Sequence, residues 1–412
     1  MGLRVGLLHY TAPPVTGGVE VVLGQQARLL ADAGHRVRII VGRGGSTDPR
    51  VEVVRVPLAD TRHPAVLAAR ASLDRGSVPP TFAPLVAALA ADLRSTVADL
   101  DVLVAHNVCG LHFNLPLTAA LREIAGEPRG PALVAWQHDL AWTSVPYSQH
   151  LHPGYPWDLL RDPWPRTTYV AVSEARQKEQ MRLSGLPLER VRVVPNGVDV
   201  GRLLGLHPST RRIVESLGLP GARPVLLVPA RVTRRKNLEL AIRVVAELRR
   251  LGDDPLLIIT GPSDPHDPAA SGYLERLQAL ALAVRVADAV HFLAVDRGRS
   301  TSRRVVTDLY RIADALLLPS HDEGFGLPIL EAAVSRLPVI CADIAALREL
   351  AGNDATYFDP AADPSAVAVL IRARLANEPV SRLADRVRRE YGWPAIYATR
   401  IEPLLREVAG EG

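Results

Sequence analysis

Residues 4–42 read RVGLLHYTAPPVTGGVEVVLGQQARLLADAGHRVRIIVG. An apolar, β-branched run (4–10) ends in a loop holding two prolines and Gly17–Gly18. An amphipathic segment (20–35) follows, and a second β-branched run (35–42) closes the unit. A strand, a helix and another buried strand make a βαβ unit, which predicts a parallel sheet covered on both faces. The same alternation continues at 51–57, 101–107, 132–139, 167–173 and 191–197, with a helical pattern such as PLVAALAADLRSTVADL (84–100) between runs. After the Gly- and Pro-rich stretch LGLPGARP (217–224) a second series begins: VLLVPARV, PLLIITGP, VHFLAV, ALLLPS, PVICAD and ATYFDP. The break near residues 198–222 is the expected domain boundary. The fold class is therefore α/β, with two Rossmann-like doubly wound domains in tandem, over 1–200 and 201–392.

Length agrees: 412 residues exceed one ordinary core and suggest two or three domains. Apolar residues at 48% and charged ones at 22% are normal for a soluble globular chain, and no run approaches the roughly 18–20 apolar residues of a membrane helix. The N-terminus passes straight into strand-like sequence, and Cys109 and Cys341 are lone and far apart, so a reducing cytoplasm is expected. A net charge of +4 suits phosphorylated ligands or transient contact with an anionic membrane surface. It is too mild to imply nucleic acid, and no basic stripe is interleaved with the aromatics. Only Lys178 and Lys236 are lysines; every other fixed cation is arginine.

Ligands of doubly wound sheets bind beyond the carboxyl ends of the strands, which directs attention to three loops. At Gly17–Gly18 glycine permits close approach of backbone amides to an anion, or else serves a turn that needs positive φ. The spacing is not the dinucleotide fingerprint. In ARVTRRKNLELAI (230–242), Arg231 and Lys236 bracket a turn whose Asn237 is a candidate helix N-cap; the pair suits a pyrophosphate, or the turn is simply solvated and basic. In HDEGFGLPILEA (321–332), Pro328 suits the first turn of a helix beginning near Leu327. Glu323 then precedes the helix and Glu331 lies one turn inside it, around the open amides of Gly324, Phe325, Gly326 and Leu327. Two carboxylates flanking free amides form a layout for hydroxylated rings joined to a phosphate. The plainer alternative is acidic residues at a helix start.

EGFGLPILE resembles the E-x7-E signature of retaining glycosyltransferases with the GT-B fold, in particular glycosyltransferase family 4. GGVE (17–20) is similar to that family's first phosphate loop, VPNGVD (194–199) to its inter-domain segment, ARVTRRKN to its diphosphate site, ITGPSDPHDP (259–268) to a later strand turn and YGWPAIYATRIEPLL to its closing C-terminal helix. One departure is Ala230, where the family has glycine. The resemblance implies that Arg231 and Lys236 hold a donor diphosphate, Glu331 the ribose hydroxyls and Glu323 the donor sugar. It assigns the amides of 324–327 to the sugar and phosphates, and Gly17 and Gly18 to the phosphates from the other domain. His138, in AWQHDL, matches the family's active-site histidine. The family's architecture further implies two domains facing a cleft, with a helix at about 393–412 crossing back to the first.

The implied reaction moves a hexose from a nucleotide-diphosphate sugar such as UDP-glucose or GDP-mannose to a hydroxyl acceptor, with retention and front-side attack. No cofactor is expected beyond the nucleotide sugar as co-substrate, and no Asp-x-Asp follows a strand as a metal site would need. The acceptor, a small molecule, glycan or lipid, is expected at the first domain, where Trp142, Tyr147, Tyr155, Trp157 and Trp164 form a candidate stacking wall or else pack against the domain. A sugar-nucleotide 2-epimerase and a catalytically silent nucleotide-sugar-binding subunit are the rival readings. A pyridoxal-dependent phosphorylase would need a lysine that this chain has already committed to phosphate, and a nicotinamide dehydrogenase would need the absent fingerprint.

Overall fold

The computed structural model describes residues 2–219, 221–263, 270–298 and 300–410. The chain divides into two units, Met1–Gly197 with Trp393–Gly412, and Val198–Gly392.

The first unit is built on a seven-stranded parallel sheet: β1 (Arg4–Thr11), β2 (Arg36–Arg43), β3 (Val51–Arg55), β4 (Val102–His106), β5 (Ala132–Gln137), β6 (Thr167–Ala171) and β7 (Val191–Val193), in the order β3-β2-β1-β4-β5-β6-β7. β1 lies between β2 and β4, with Leu7 opposite both Ile39 and Val104. Side chains alternate across the sheet, so Leu7 and Leu8 feed different cores. Leu7, Ile39 and Val104 pack with Leu23, Ala27 and Leu30 of the helix Gly18–Asp32. Leu8, Ile40 and Leu103 pack with Leu89 and Leu93 of the helix Phe82–Val97. Because both faces are covered, the inner strands β4 and β5 read as nearly unbroken apolar runs.

The first core also contains Trp393, Ile396, Ile401, Leu404 and Leu405 from the end of the chain. His35 fastens this segment. Its Nδ1 accepts from the Leu3 N–H at 2.9 Å, so the proton sits on Nε2, which donates to Glu402 at 2.8 Å.

The second unit carries a six-stranded parallel sheet: β8 (Val225–Val228), β9 (Leu256–Ile259), β10 (Val290–Phe292), β11 (Ala315–Leu318), β12 (Val339–Ala342) and β13 (Thr356–Phe358), in the order β10-β9-β8-β11-β12-β13. In both sheets the order reverses beside the first strand of the unit, between β1 and β4 and between β8 and β11. Each reversal is a switch point at which the following loops diverge and leave room for a ligand.

The units divide at Gly197–Val198, at the start of the expected boundary stretch 198–222. That stretch belongs to the second unit and folds into the helices Val200–Leu203 and Pro208–Ser216. Leu206, Ile213 and Leu219 are buried with Val225 and Leu227, and the Thr210 hydroxyl donates to Asp308 at 2.6 Å. Pro208 starts a helix here and Gly218, at φ +62°, follows its end, so the two residue types mark helix boundaries. Of the stretch 259–268, residues 264–268 lie outside the described residues.

Candidate active site

In the second unit the loops leaving β8 and β11 meet at the switch point, where the His321 N–H donates to the Arg235 carbonyl at 2.8 Å. This contact places Lys236 beside Glu323. Both side chains are about nine-tenths buried, and the ammonium is ion-paired with Glu323 Oε1. Ser320 Oγ donates to the same oxygen at 2.8 Å, and Arg235 stands 3.9 Å from the other. A buried ion pair is tolerated when further hydrogen bonds satisfy its charges; Ser320 supplies one such bond, and Arg235 adds a second positive charge at ion-pair distance. Asn237 does occupy the N-cap position of the helix Leu238–Arg250, but in a left-handed conformation (φ +51°), and its amide donates to the Pro360 carbonyl. The expected side-chain cap is therefore absent, because the asparagine serves the turn and ties it to the loop after β13.

Arg231 is exposed at the start of the same loop and makes no side-chain hydrogen bond or ion pair among the described residues. Its neighbour Ala230 is buried, and the chain here runs close to the loop after β9. The Val232 N–H donates to Pro262, and a Cβ on Gly261 would lie 2.3 Å from the Ala230 carbonyl oxygen. Only glycine at 261 allows that approach.

The helix after β11 runs Leu327–Val334, with Gly326 as N-cap and Pro328 in the first turn. Gly326 has φ +99° and a Cβ there would meet Leu347 at 2.8 Å, so the bend requires glycine twice over. The amides of Gly324, Phe325, Gly326 and Leu327 donate to no described residue, as expected at the start of a helix. Phe325 and Leu327 are exposed. Glu331 follows one turn later, accepting from the Tyr310 hydroxyl at 2.7 Å and from Arg303 at 3.2 Å. The structure thus joins Lys236 to Glu323 directly and places the four amides and Glu331 on the chain that continues from Glu323.

Gly17, Gly18 and His138 belong to the first unit. The helix begins at Gly18 with Gly17 as N-cap, and the turn does not need positive φ: Gly17 is extended at −175°. A Cβ there would fall 2.1 Å from Glu20 Oε2, so a larger residue would have to displace the Glu20 carboxylate from the loop. Glu20 folds back over the loop, accepts from Thr11 Oγ1 at 2.5 Å and lies 3.9 Å from His9 Nε2. His9 Nδ1 donates to the His106 carbonyl at 2.8 Å. His106 Nδ1 lies 3.2 Å from His138 Nε2, while His138 Nδ1 faces the Asn196 amide at 3.4 Å, the longest of these hydrogen bonds. Asn107 adopts φ +59° and uses its side-chain oxygen to accept from the backbone amides of His138 and Asp139. Burial, with His9 adding to it, lowers the His138 pKa to about 4, and burial keeps His106 and His9 low as well. All three imidazoles are neutral near pH 7. A neutral imidazole offers one donor and one acceptor, the complement of a hydroxyl.

The aromatic wall is not built as a single face. Trp157 and Trp164 are core residues, and Trp142 and Tyr147 pack against that core. The indole nitrogens of Trp142 and Trp164 donate to the carbonyls of Trp157 and Leu159. Only Tyr155 of the five is exposed, set edge-on to Phe82. The loop is aromatic because most of its rings fill or cover the core of the first unit.

Several partners of these residues were not singled out from sequence: Tyr310, Arg303 and Ser320 in the second unit, and Glu20, His9 and His106 in the first. His9 and His106 lie in recognised strands, and their position at the carboxyl ends was the available signal. Among the described residues no helix is long and apolar enough to cross a membrane.

Known proteins match this arrangement along nearly the whole chain. Residues 16–202 match the sequence model of the family described as Glycosyltransferase Family 4, and residues 209–390 that of Glycosyl transferases group 1. A D-inositol 3-phosphate glycosyltransferase of Xylanimonas cellulosilytica is 28% identical over 97% of this chain and 96% of its own. A protein of the same name from Actinosynnema mirum is 30% identical over 84% and 82%. Among solved structures, a glycosyltransferase from Rickettsia africae is 16% identical over 99% of this chain and 100% of that one, with a TM-score of 0.39. Anabaena HepE, in complex with UDP and glucose, is 18% identical over 98% and 99%, also with a TM-score of 0.39. Two Rossmann-like domains, each matched by a glycosyltransferase family model, define a glycosyltransferase of the GT-B class. The chain belongs to glycosyltransferase family 4.

Proposed function

We propose that this transferase moves a hexose from a nucleoside-diphosphate sugar to a hydroxyl acceptor with retention at the anomeric carbon. The observation that carries the reading is the buried Lys236–Glu323 pair at the switch point of the second sheet, followed by free amides and Glu331. The ammonium, Arg231 and the amides of residues 324–327 receive the negative charge that develops on the leaving diphosphate, as preorganised electrostatic stabilisation. Glu323, held by Lys236 and Ser320, accepts from hydroxyls of the transferred sugar, and Glu331 accepts from the ribose. In the first unit, neutral His138 hydrogen-bonds a sugar hydroxyl through Nδ1, whose bond to Asn196 is the easiest to exchange. Gly17 and Gly18 lend amides to the phosphates. The leaving phosphate takes the acceptor proton in a front-side displacement, so no protein nucleophile and no resident cofactor is assigned. The names of the relatives favour a phosphorylated polyol as acceptor, and the net charge of +4 agrees with an anionic substrate.

The test is thermal stabilisation by a panel of nucleotide sugars, then transfer from the best donor to inositol phosphates, with the anomeric configuration read by NMR. An α-linked product from an α-linked donor supports the reading. An inverted product refutes retention, and absence of stabilisation by every nucleotide sugar refutes the donor assignment.

A further inference from the structure

Glu331 is gripped unequally on its two oxygens. Oε2 accepts from Tyr310, a residue only 3% exposed and packed among Leu309, Ile312, Leu316 and Ile329. Oε1 accepts from Arg303, whose side chain is 87% exposed. An exposed ion pair of this kind contributes little and exchanges readily. A hydrogen bond from a buried phenol to a carboxylate is among the stronger ones and lacks rotational freedom. The phenol remains a donor at any working pH, because burial and the adjacent carboxylate push its pKa up. A carboxylate offers about four acceptor positions, so two remain after Tyr310 and Arg303 are counted. A vicinal diol needs both oxygens of its acceptor in a fixed plane.

We propose that Tyr310 is a positioning residue for nucleotide recognition. Its hydroxyl takes one position on Oε2 and fixes the plane of the Glu331 carboxylate, so that the free positions on both oxygens, with Arg303 exchanging from Oε1, meet the ribose hydroxyls of the donor. The proposal rests on the ribose role given to Glu331 and adds the source of its geometry. Tyr310 thereby helps the site distinguish ribonucleotides from deoxyribonucleotides, since a site built to bind a hydroxyl rejects the analogue lacking it.

Isothermal titration of the full chain with UDP, GDP and ADP, with the 2′-deoxy form of each, and with inorganic pyrophosphate provides the test. In Tyr310→Phe the Kd of the preferred nucleoside diphosphate rises about tenfold and its preference over the 2′-deoxy form shrinks towards unity. Pyrophosphate affinity stays unchanged, because Arg231 and Lys236 are untouched. A general structural disturbance would weaken pyrophosphate equally, and that result overturns the positioning role. Retention of ribo-preference in Tyr310→Phe, with its loss in Glu331→Ala, overturns the role of Tyr310 alone. Retention in Glu331→Ala overturns the ribose assignment as well.

Discussion

Lys236→Ala deletes one half of a pair whose side chains are 10% and 7% exposed. Removing one partner of a buried ion pair typically costs 3–5 kcal/mol, because the survivor is stranded out of water. Glu323 keeps Ser320 Oγ at 2.8 Å, and the half-exposed Arg235 guanidinium, already 3.9 Å away, can turn inward. The lower end, about 3 kcal/mol, is therefore expected. Glu323→Gln should cost a similar amount, since it leaves the ammonium facing a neutral amide. In the double variant neither charge is stranded, so the two losses fall short of adding by about 2 kcal/mol or more. For a unit the size of Val198–Gly392, about 3 kcal/mol corresponds to roughly 6–12 °C in Tm. All five tryptophans, at 136, 142, 157, 164 and 393, lie in the first unit. Scanning calorimetry should thus show a lowered transition that tryptophan emission does not follow. Single variants whose shifts add within about 0.5 kcal/mol would show the two residues to be uncoupled, and the organisation assigned to the donor site would fail with them.

Arg231→Ala removes an exposed side chain without a described partner, so stability should change by less than about 0.5 kcal/mol. Pyrophosphate affinity should nevertheless drop about tenfold by titration, and an unchanged Kd would remove Arg231 from the diphosphate site. His138 has a folded pKa near 4 against an ordinary value of 6.5, so the unfolded chain binds the proton first. Stability of the first unit is then complete above pH 6.5 and declines as pH falls towards 4, by roughly 3 kcal/mol from His138 alone. Urea midpoints followed by tryptophan emission at pH 7 and 5 test this, and a higher midpoint at pH 5 would contradict it. Gly326→Ala sets a side chain at φ +99° and 2.8 Å from Leu347, and should cost about 1–3 kcal/mol. Calorimetry of the second unit measures it; a shift below about 1 °C would mean the bend has other solutions.

All thirteen strand runs quoted from sequence contain observed strands. Most are short apolar, largely β-branched runs closed by a residue that ends extended structure, and the central strands, buried on both faces, carry no polar alternation to blur them. Glu323, Gly326 and Glu331 were legible because glycine and proline fix the start of their helix. Tyr310 was not. In DLYRI an aromatic on the apolar face of a helix looks like any core residue, and its hydroxyl acts on a carboxylate 21 positions away. The aromatic loop misled for the converse reason: composition records that rings are present but not which way they turn. Gly17 shows a third limit, since the space its missing Cβ leaves is taken by the Glu20 carboxylate, a contact no local pattern announces.

The two places where the polypeptide passes between units are immediate neighbours. A Cβ on Gly197 would lie 2.6 Å from the Trp393 ring, and Val198 pairs with Gly392 on the other side. Residues 198–392 are thus a cassette spliced into a host fold whose own ends, at 197 and 393, already touch. Two cuts would exchange the second unit for that of another family member without breaking a strand of either sheet. A short ligation of 197 to 393 would leave a host module that retains its C-terminal cover.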